Sequence, residues 1–190
     1  MSNLDKVAFR DQIISSRSDK SEPALDSADK LFAQHDWADL IPGHNVACYF
    51  SLPPEPGTNE LRAHLASLGK KVYLPIVEMS HSLSWGFDQA PYEFNKFGIA
   101  EPQRSDFQLA DADAIILPAL AADTAGNRLG RGAGYFDRAL AEVPNFAAGG
   151  PLRIALVFDE EIFSEIPVED HDAQVDLVVT PTRAITPRVK

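Results

Sequence analysis

The sequence predicts a layered α/β fold with a mostly parallel sheet. Short runs such as 114–120, apolar throughout, and 175–179, apolar but for Asp176, suit strands covered on both faces. Segments with helical apolar spacing separate those runs. Strands alternating with helices leave room for crossover connections, and such connections build parallel sheets.

The elements follow in order. The first stretch reads as a helix, with Ser2 and Asp5 as a weak capping box and Val7, Ile13 and Ile14 as a partial apolar stripe. A second helix is expected over 24–37, and Pro42 and Gly43 end that region. Residues 46–52 form a strand closed by Pro53 and Pro54. Thr58 caps a helix whose inner face is Leu61, Leu65 and Leu68, and Gly69 terminates it. Strands are expected over 71–77, 83–87 (antiparallel), 114–120, 153–158 and 175–179. Between the strands at 114–120 and 153–158 lie a glycine-rich loop, 126–134, and a helix over 135–143. No repeat or low-complexity linker interrupts the chain, so residues 1–190 read as one domain.

Composition narrows the function. Hydrophobic residues make up 45% and charged residues 24% of 190, enough for a sizeable core. Lys plus Arg total 17 against 28 Asp plus Glu, a formal charge of -11. That balance disfavours nucleic acid and makes local clusters of cations informative. The single cysteine, Cys48, sits in an apolar run and reads as a buried, inert thiol. The N-terminus lacks a secretory pattern and no apolar run is long enough for a bilayer, so a cytoplasmic protein is expected.

Sites in parallel sheets lie beyond the carboxyl ends of the strands, which directs attention to the loop after Leu120. Glycines at 130, 132 and 134 let the backbone approach a ligand and present successive N–H groups. Arg128, Arg131 and Arg138 fall in the same stretch, a local reversal of the chain's charge. Phosphate is the natural guest, with the following helix N-terminus adding to the field. The alternative is a flexible loop solvated by its arginines. The segment is neither a Walker loop nor a dinucleotide fingerprint, because neither spacing is present.

The run RLGRGAGYFDR at 128–138 resembles the signature of the 5-formyltetrahydrofolate cyclo-ligases, close to RLG-x-G-x-GYYDR. The preceding LPALAAD at 117–123 is similar to that family's LPG-x-AFD, with Ala119 and Ala122 in place of Gly and Phe. Lys6 and Arg10 match its Lys-x-x-Leu-Arg element, with Phe9 for Leu. Glu55 and Thr58 match its Glu-x-x-Thr, and Phe50 falls at an apolar substrate contact. Tyr73, Leu74 and Pro75, then Phe97 to Pro102, resemble its LP and (Y/F)GI-x-EP elements, with Ile76 where a basic residue is common. The run 166–176 resembles IP-x-x-x-HD-x-x-VD. The resemblance spans 6–180.

The resemblance implies a three-layer α/β/α fold like that of ribose-5-phosphate isomerases and CoA transferases. It implies ATP-dependent closure of 5-formyltetrahydrofolate to 5,10-methenyltetrahydrofolate, with ADP and phosphate released. It assigns Lys6, Arg10, Arg128, Gly130, Arg131, Gly132, Ala133, Gly134 and Tyr135 to ATP. Phe50, Glu55, Trp85 and Tyr135 would meet the folate, Arg131 and Tyr135 would stand at the reacting junction, and Asp137 with Asp172 would hold Mg²⁺. Trp85 and Phe97 read equally well as core residues. His171 is expected to pack locally, and His35, His44, His64 and His81 read as surface residues without clustered partners. The rival readings are a catalytically weak nucleotide- or folate-binding paralogue, a sugar-phosphate isomerase and, least favoured, an RNA-binding domain. No nucleic-acid, membrane or obligate protein partner is expected.

Overall fold

In the computed structural model, residues 3–96, 98–169 and 172–187 are described, with side chains from residue 6 onward. The cap expected of Ser2 and Asp5, Phe97, Asp170 and His171 lie outside that description. The helices are α1 (Asn3–Ser18), α2 (Glu22–Ala33), α3 (Trp37–Leu40), α4 (Asn59–Ser67) and α5 (Tyr135–Ala141). The strands are β1 (Asn45–Ala47), β2 (Lys71–Val77), β3 (Leu83–Phe87), β4 (Glu93–Phe94), β5 (Ala100–Glu101) and β6 (Ala114–Pro118). They continue with β7 (Ala121–Asp123), β8 (Arg128–Leu129), β9 (Leu152–Leu156), β10 (Ile162–Phe163), β11 (Leu177–Val179) and β12 (Ala184–Ile185).

Seven strands form the main sheet in the order β12-β11-β9-β6-β1-β2-β3. The five inner strands run parallel, and β12 and β3 pair antiparallel at the edges. The layered α/β expectation therefore holds, including the antiparallel β3. The central strands are apolar because both faces are covered. Ala114, Ile116, Ile154 and Leu156 pack under Phe32 of α2 and Leu61 and Leu65 of α4. Ile115, Leu117 and Ala155 face the other way, toward Leu140 of α5 and Val143. Each fully buried Leu or Ile contributes about 1.5–3 kcal/mol. A small sheet, β10-β7-β8, continues from the end of β6, and α1 lies against it through Ile13. Among the described residues, no helix is long and apolar enough to cross a membrane.

Several boundaries depart from expectation. The stripe predicted for α1 is turned outward: Val7 is 48% and Ile14 38% exposed, whereas Lys6, Ile13 and Arg17 are buried. The inward face of α1 carries the buried cations Lys6 and Arg17 and the half-buried Arg10 around Ile13, because their partners lie on the body of the protein. The second helix stops at Ala33, and Trp37 opens α3, where Asp36 accepts from the Asp39 amide. Strand 46–52 shortens to β1, since Ser51 and the loop beyond bond to Thr58 instead of to a neighbouring strand. Leu68 falls after the end of α4 and is 40% exposed. Gly69 does terminate that helix, at φ 76, with Lys70 N–H donating to Leu65 O. The glycine-rich segment begins as a hairpin, β7 against β8, before the turn proper.

Candidate functional site

The carboxyl ends of β1, β2 and β6 open into one cavity of about 210 Å³. Between β6 and β1 the crossovers reverse direction along the sheet, the place where parallel sheets offer a crevice. Phe50 and Glu55 from the loop after β1, Pro75 and Val77 from β2, and Pro118 and Ala119 from β6 line it. The glycine turn with Tyr135 and Asp137 forms another part of the wall. Most residues assigned from the motifs therefore converge, although they come from loops far apart in sequence.

The Glu55 loop is built by Thr58. Its side chain does not cap α4; instead Oγ1 donates to Tyr49 O at 2.8 Å and accepts from Ser51 N at 3.2 Å. Thr58 N donates to Ser51 Oγ at 2.9 Å, closing the loop on itself. Glu55 is then fixed from both ends: Oε2 accepts from Leu52 N at 2.9 Å, and Oε1 pairs with Arg131 Nε at 2.9 Å. Tyr49, also on the cavity wall, is buried, and burial pushes its phenol well above the ordinary value.

The turn at 130–134 carries φ of +99° at Gly132 and +69° at Gly134, conformations that glycine adopts without strain. Among the described residues, none accepts a hydrogen bond from the backbone N–H groups of 130–134. Five consecutive N–H groups thus remain available to an acceptor, the arrangement of an anion nest. α5 has only 7 residues, so the turn amides and the arginines, rather than a helix dipole, carry the anion affinity expected here. Arg10 supports the turn from α1, with Nε donating to Gly130 O at 3.0 Å. Its guanidinium lies about 3.5 Å from where a Cβ on Gly132 would sit.

Arg128 is buried, donating Nη1 to Pro118 O at 3.2 Å and Nη2 to Asp137 Oδ1. Its Nε has no partner, an unmet donor beside the cavity. Lys6 lies apart from the cavity lining; it is buried, with Nζ at 2.8 Å from Glu169 and 2.5 Å from Asp172. Asp172 Oδ2 also accepts from Glu169 N at 2.7 Å. An unpaired ammonium buried this deeply would cost several kcal/mol, so the two carboxylates are what permit the burial.

The expected Mg²⁺ carboxylates are thus each held by a cation, Asp137 by Arg128 and Asp172 by Lys6. The described residues contain no cluster of three or more His, Cys, Asp or Glu able to hold a metal by themselves. The donors nonetheless fit Mg²⁺ in kind: it takes one or two carboxylates and completes its shell with water and phosphate oxygens. Asp137 lines the cavity beside the turn, and its ion pair with Arg128 is made through Oδ1.

Trp85 corrects one assignment. It is 3% exposed, edge-on to Phe136 at 6.4 Å, in the core on the α5 side, and it does not line the cavity. The core reading of this residue holds because it faces inward from β3.

Two residues escaped the sequence reading. Arg17 is fully buried on the cavity wall. Its Nε and Nη2 bond both Glu161 oxygens at 2.7 Å, and Nη2 also donates to Ala119 O at 2.6 Å. Helical spacing from Lys6 and Arg10 was the available signal. His81 is exposed but not without partners: Nδ1 lies 3.2 Å from the Tyr135 hydroxyl. Nothing local in the sequence marks that contact.

Known proteins resemble this chain in sequence and in fold. The model of the 5-formyltetrahydrofolate cyclo-ligase family matches residues 3–181. A 5-formyltetrahydrofolate cyclo-ligase of Mycolicibacterium smegmatis is 34% identical, covering 97% of this chain and 98% of its own. One from Escherichia coli is 30% identical over 76% of this chain and 81% of its own. The solved Aquifex aeolicus 5,10-methenyltetrahydrofolate synthetase superposes with a TM-score of 0.82 at 26% identity, covering 97% of this chain and 94% of that one. The synthetase from Mycoplasma pneumoniae, 20% identical with a TM-score of 0.71, shares the fold over 93% of this chain and 99% of its own.

Proposed function

The chain belongs to the 5-formyltetrahydrofolate cyclo-ligase family, and on that premise we propose how its cavity performs the reaction. The enzyme converts 5-formyltetrahydrofolate and ATP to 5,10-methenyltetrahydrofolate, ADP and phosphate. The formyl oxygen attacks the γ-phosphorus and ADP leaves. N10 then attacks the activated carbon, its proton passes to solvent, and phosphate departs with the former formyl oxygen. Positioning and charge neutralisation are the protein's main tasks.

The amides of 130–134 take the ATP phosphates, with Arg10 and Arg128 adding positive charge; Lys6, assigned to ATP by its motif, is paired with Glu169 and Asp172 and would have to leave them to take part. Glu55 accepts from the N–H donors of the pterin, beside Phe50. Arg131 and Tyr135 stand where nucleotide and folate meet. Asp137 and Asp172 would hold Mg²⁺, which when bound neutralises phosphate oxygens. We further read the fold as ribose-5-phosphate isomerase/CoA-transferase-like and α/β/α, and residues 1–190 as one cytoplasmic domain acting without nucleic acid or membrane.

A single observation supports the residue assignments most: the free amides of the turn and the carboxylate of Glu55 line one cavity, joined by Arg131. The test is absorbance. Purified protein with 5-formyltetrahydrofolate is expected to give the near-ultraviolet band of methenyltetrahydrofolate only when ATP and Mg²⁺ are both added. A flat trace with both present would count against turnover.

A further inference from the structure

We propose that His81 is a positioning residue for the reaction, fixing through one hydrogen bond the Tyr135 phenol that lines the cavity. The inference rests on the reading above, in which Tyr135 meets the substrates. His81 sits between β2 and β3 at φ 61, and among the described residues it is the one non-glycine with positive φ. Non-glycine side chains rarely adopt this conformation, histidine and asparagine more readily than most, and glycine fills it without strain.

The conformation aims both ends of the residue at α5. The His81 carbonyl accepts from Arg138 Nη2 at 3.0 Å and Nε at 3.3 Å. Arg138 Nη1 donates to Ala133 O at 3.1 Å, and its guanidinium lies 5.2 Å from the centre of the Tyr135 ring. His81 N donates to Glu78 O at 3.0 Å, holding the turn. The imidazole Nδ1 then meets the phenol oxygen at 3.2 Å. A phenol has one rotatable proton and two lone pairs. Committing one of them to His81 decides which of the others faces the cavity. The imidazole is exposed and outside the core clusters, so packing does not explain it.

Two substitutions separate the side chain from the backbone. His81→Gly keeps the conformation and the carbonyl but removes the imidazole. His81→Asn tolerates positive φ and places an amide atom where Nδ1 stood. For His81→Gly, kcat is expected to fall roughly tenfold, the loss of one orienting hydrogen bond, with both KM values and Tm near wild type. His81→Asn should recover most of that rate, and adding His81→Gly to Tyr135→Phe should cost nothing more. A His81→Gly enzyme as fast as wild type overturns the proposal. So does an Asn variant no better than Gly, or a full additional loss on top of Tyr135→Phe. A wild type lacking ATP-dependent turnover is a different failure: it removes the parent reading, and this proposal falls with it.

Discussion

Arg131 Nε and Glu55 Oε1 stand 2.9 Å apart, tying the glycine turn to the loop after β1. Glu55 is largely covered, while Arg131 is about half exposed. The carboxylate is thus held in place by a cation that remains in contact with solvent. Glu55→Gln keeps the shape but removes the charge, so the KM for folate is expected to rise about tenfold or more, with the KM for ATP little changed. Steady-state kinetics in both substrates measures this. An equal rise in both would place Glu55 outside the folate subsite.

Asp137→Asn leaves Arg128 buried without its counter-charge. Turnover is expected to fall by about a hundredfold or more while folate affinity holds, because the loss acts where transition-state charge develops. Titrating Mg²⁺ against rate should show a higher requirement than wild type. A near-normal rate at ordinary Mg²⁺ would remove Asp137 from the metal assignment.

Gly132→Val places a branched side chain at φ +99°, next to Arg10. The strain, about 1–3 kcal/mol, is expected to distort the turn without unfolding the domain. Calorimetry with a non-hydrolysable ATP analogue should detect no binding, and circular dichroism should be unchanged. Unfolding would instead assign the turn a packing role.

Glu161→Gln strips the charge from the partner of a fully buried Arg17 and is expected to cost about 3–5 kcal/mol in urea unfolding. Replacing both residues with apolar side chains of similar size should recover much of it. A loss below about 1 kcal/mol for the single change would show that the carbonyls of Ala119 and Leu120 suffice for Arg17.

Burial pushes the Cys48 thiol from the ordinary 9.0 up to about 12. The unfolded chain therefore loses this proton at lower pH than the folded one. Stability from Cys48 is complete below pH 9.0 and declines as pH rises toward about 12. Cys48→Ala should flatten that part of the urea-stability profile, and the folded protein should resist thiol reagents at pH 8 while the unfolded chain reacts. Rapid labelling of the folded state would contradict the burial.

The features legible in the sequence are those set by near neighbours. Strands Lys71–Val77 and Leu83–Phe87 match expectation to the residue, since an extended apolar run bounded by breakers needs no distant partner to be recognised. The Gly69 helix stop and the glycines of the turn were legible for the same reason: positive φ is a local demand. Trp85 was ambiguous because an aromatic residue suits a core and a ligand wall equally well. Only the sheet register decided which way it points.

What the sequence determined by itself is the order of strands and helices, the glycine turn and the family to which the motifs point. The tertiary structure alone decided which charges are buried. The inward face of α1 depends on carboxylates 163 and 166 positions away from Lys6 and 144 away from Arg17. A buried cation is tolerable only where an opposite charge meets it, and such meetings exist only after the chain has closed. Hydrophobic periodicity therefore pointed to Val7 and Ile14, while electrostatics across the fold turned Lys6 and Arg17 inward.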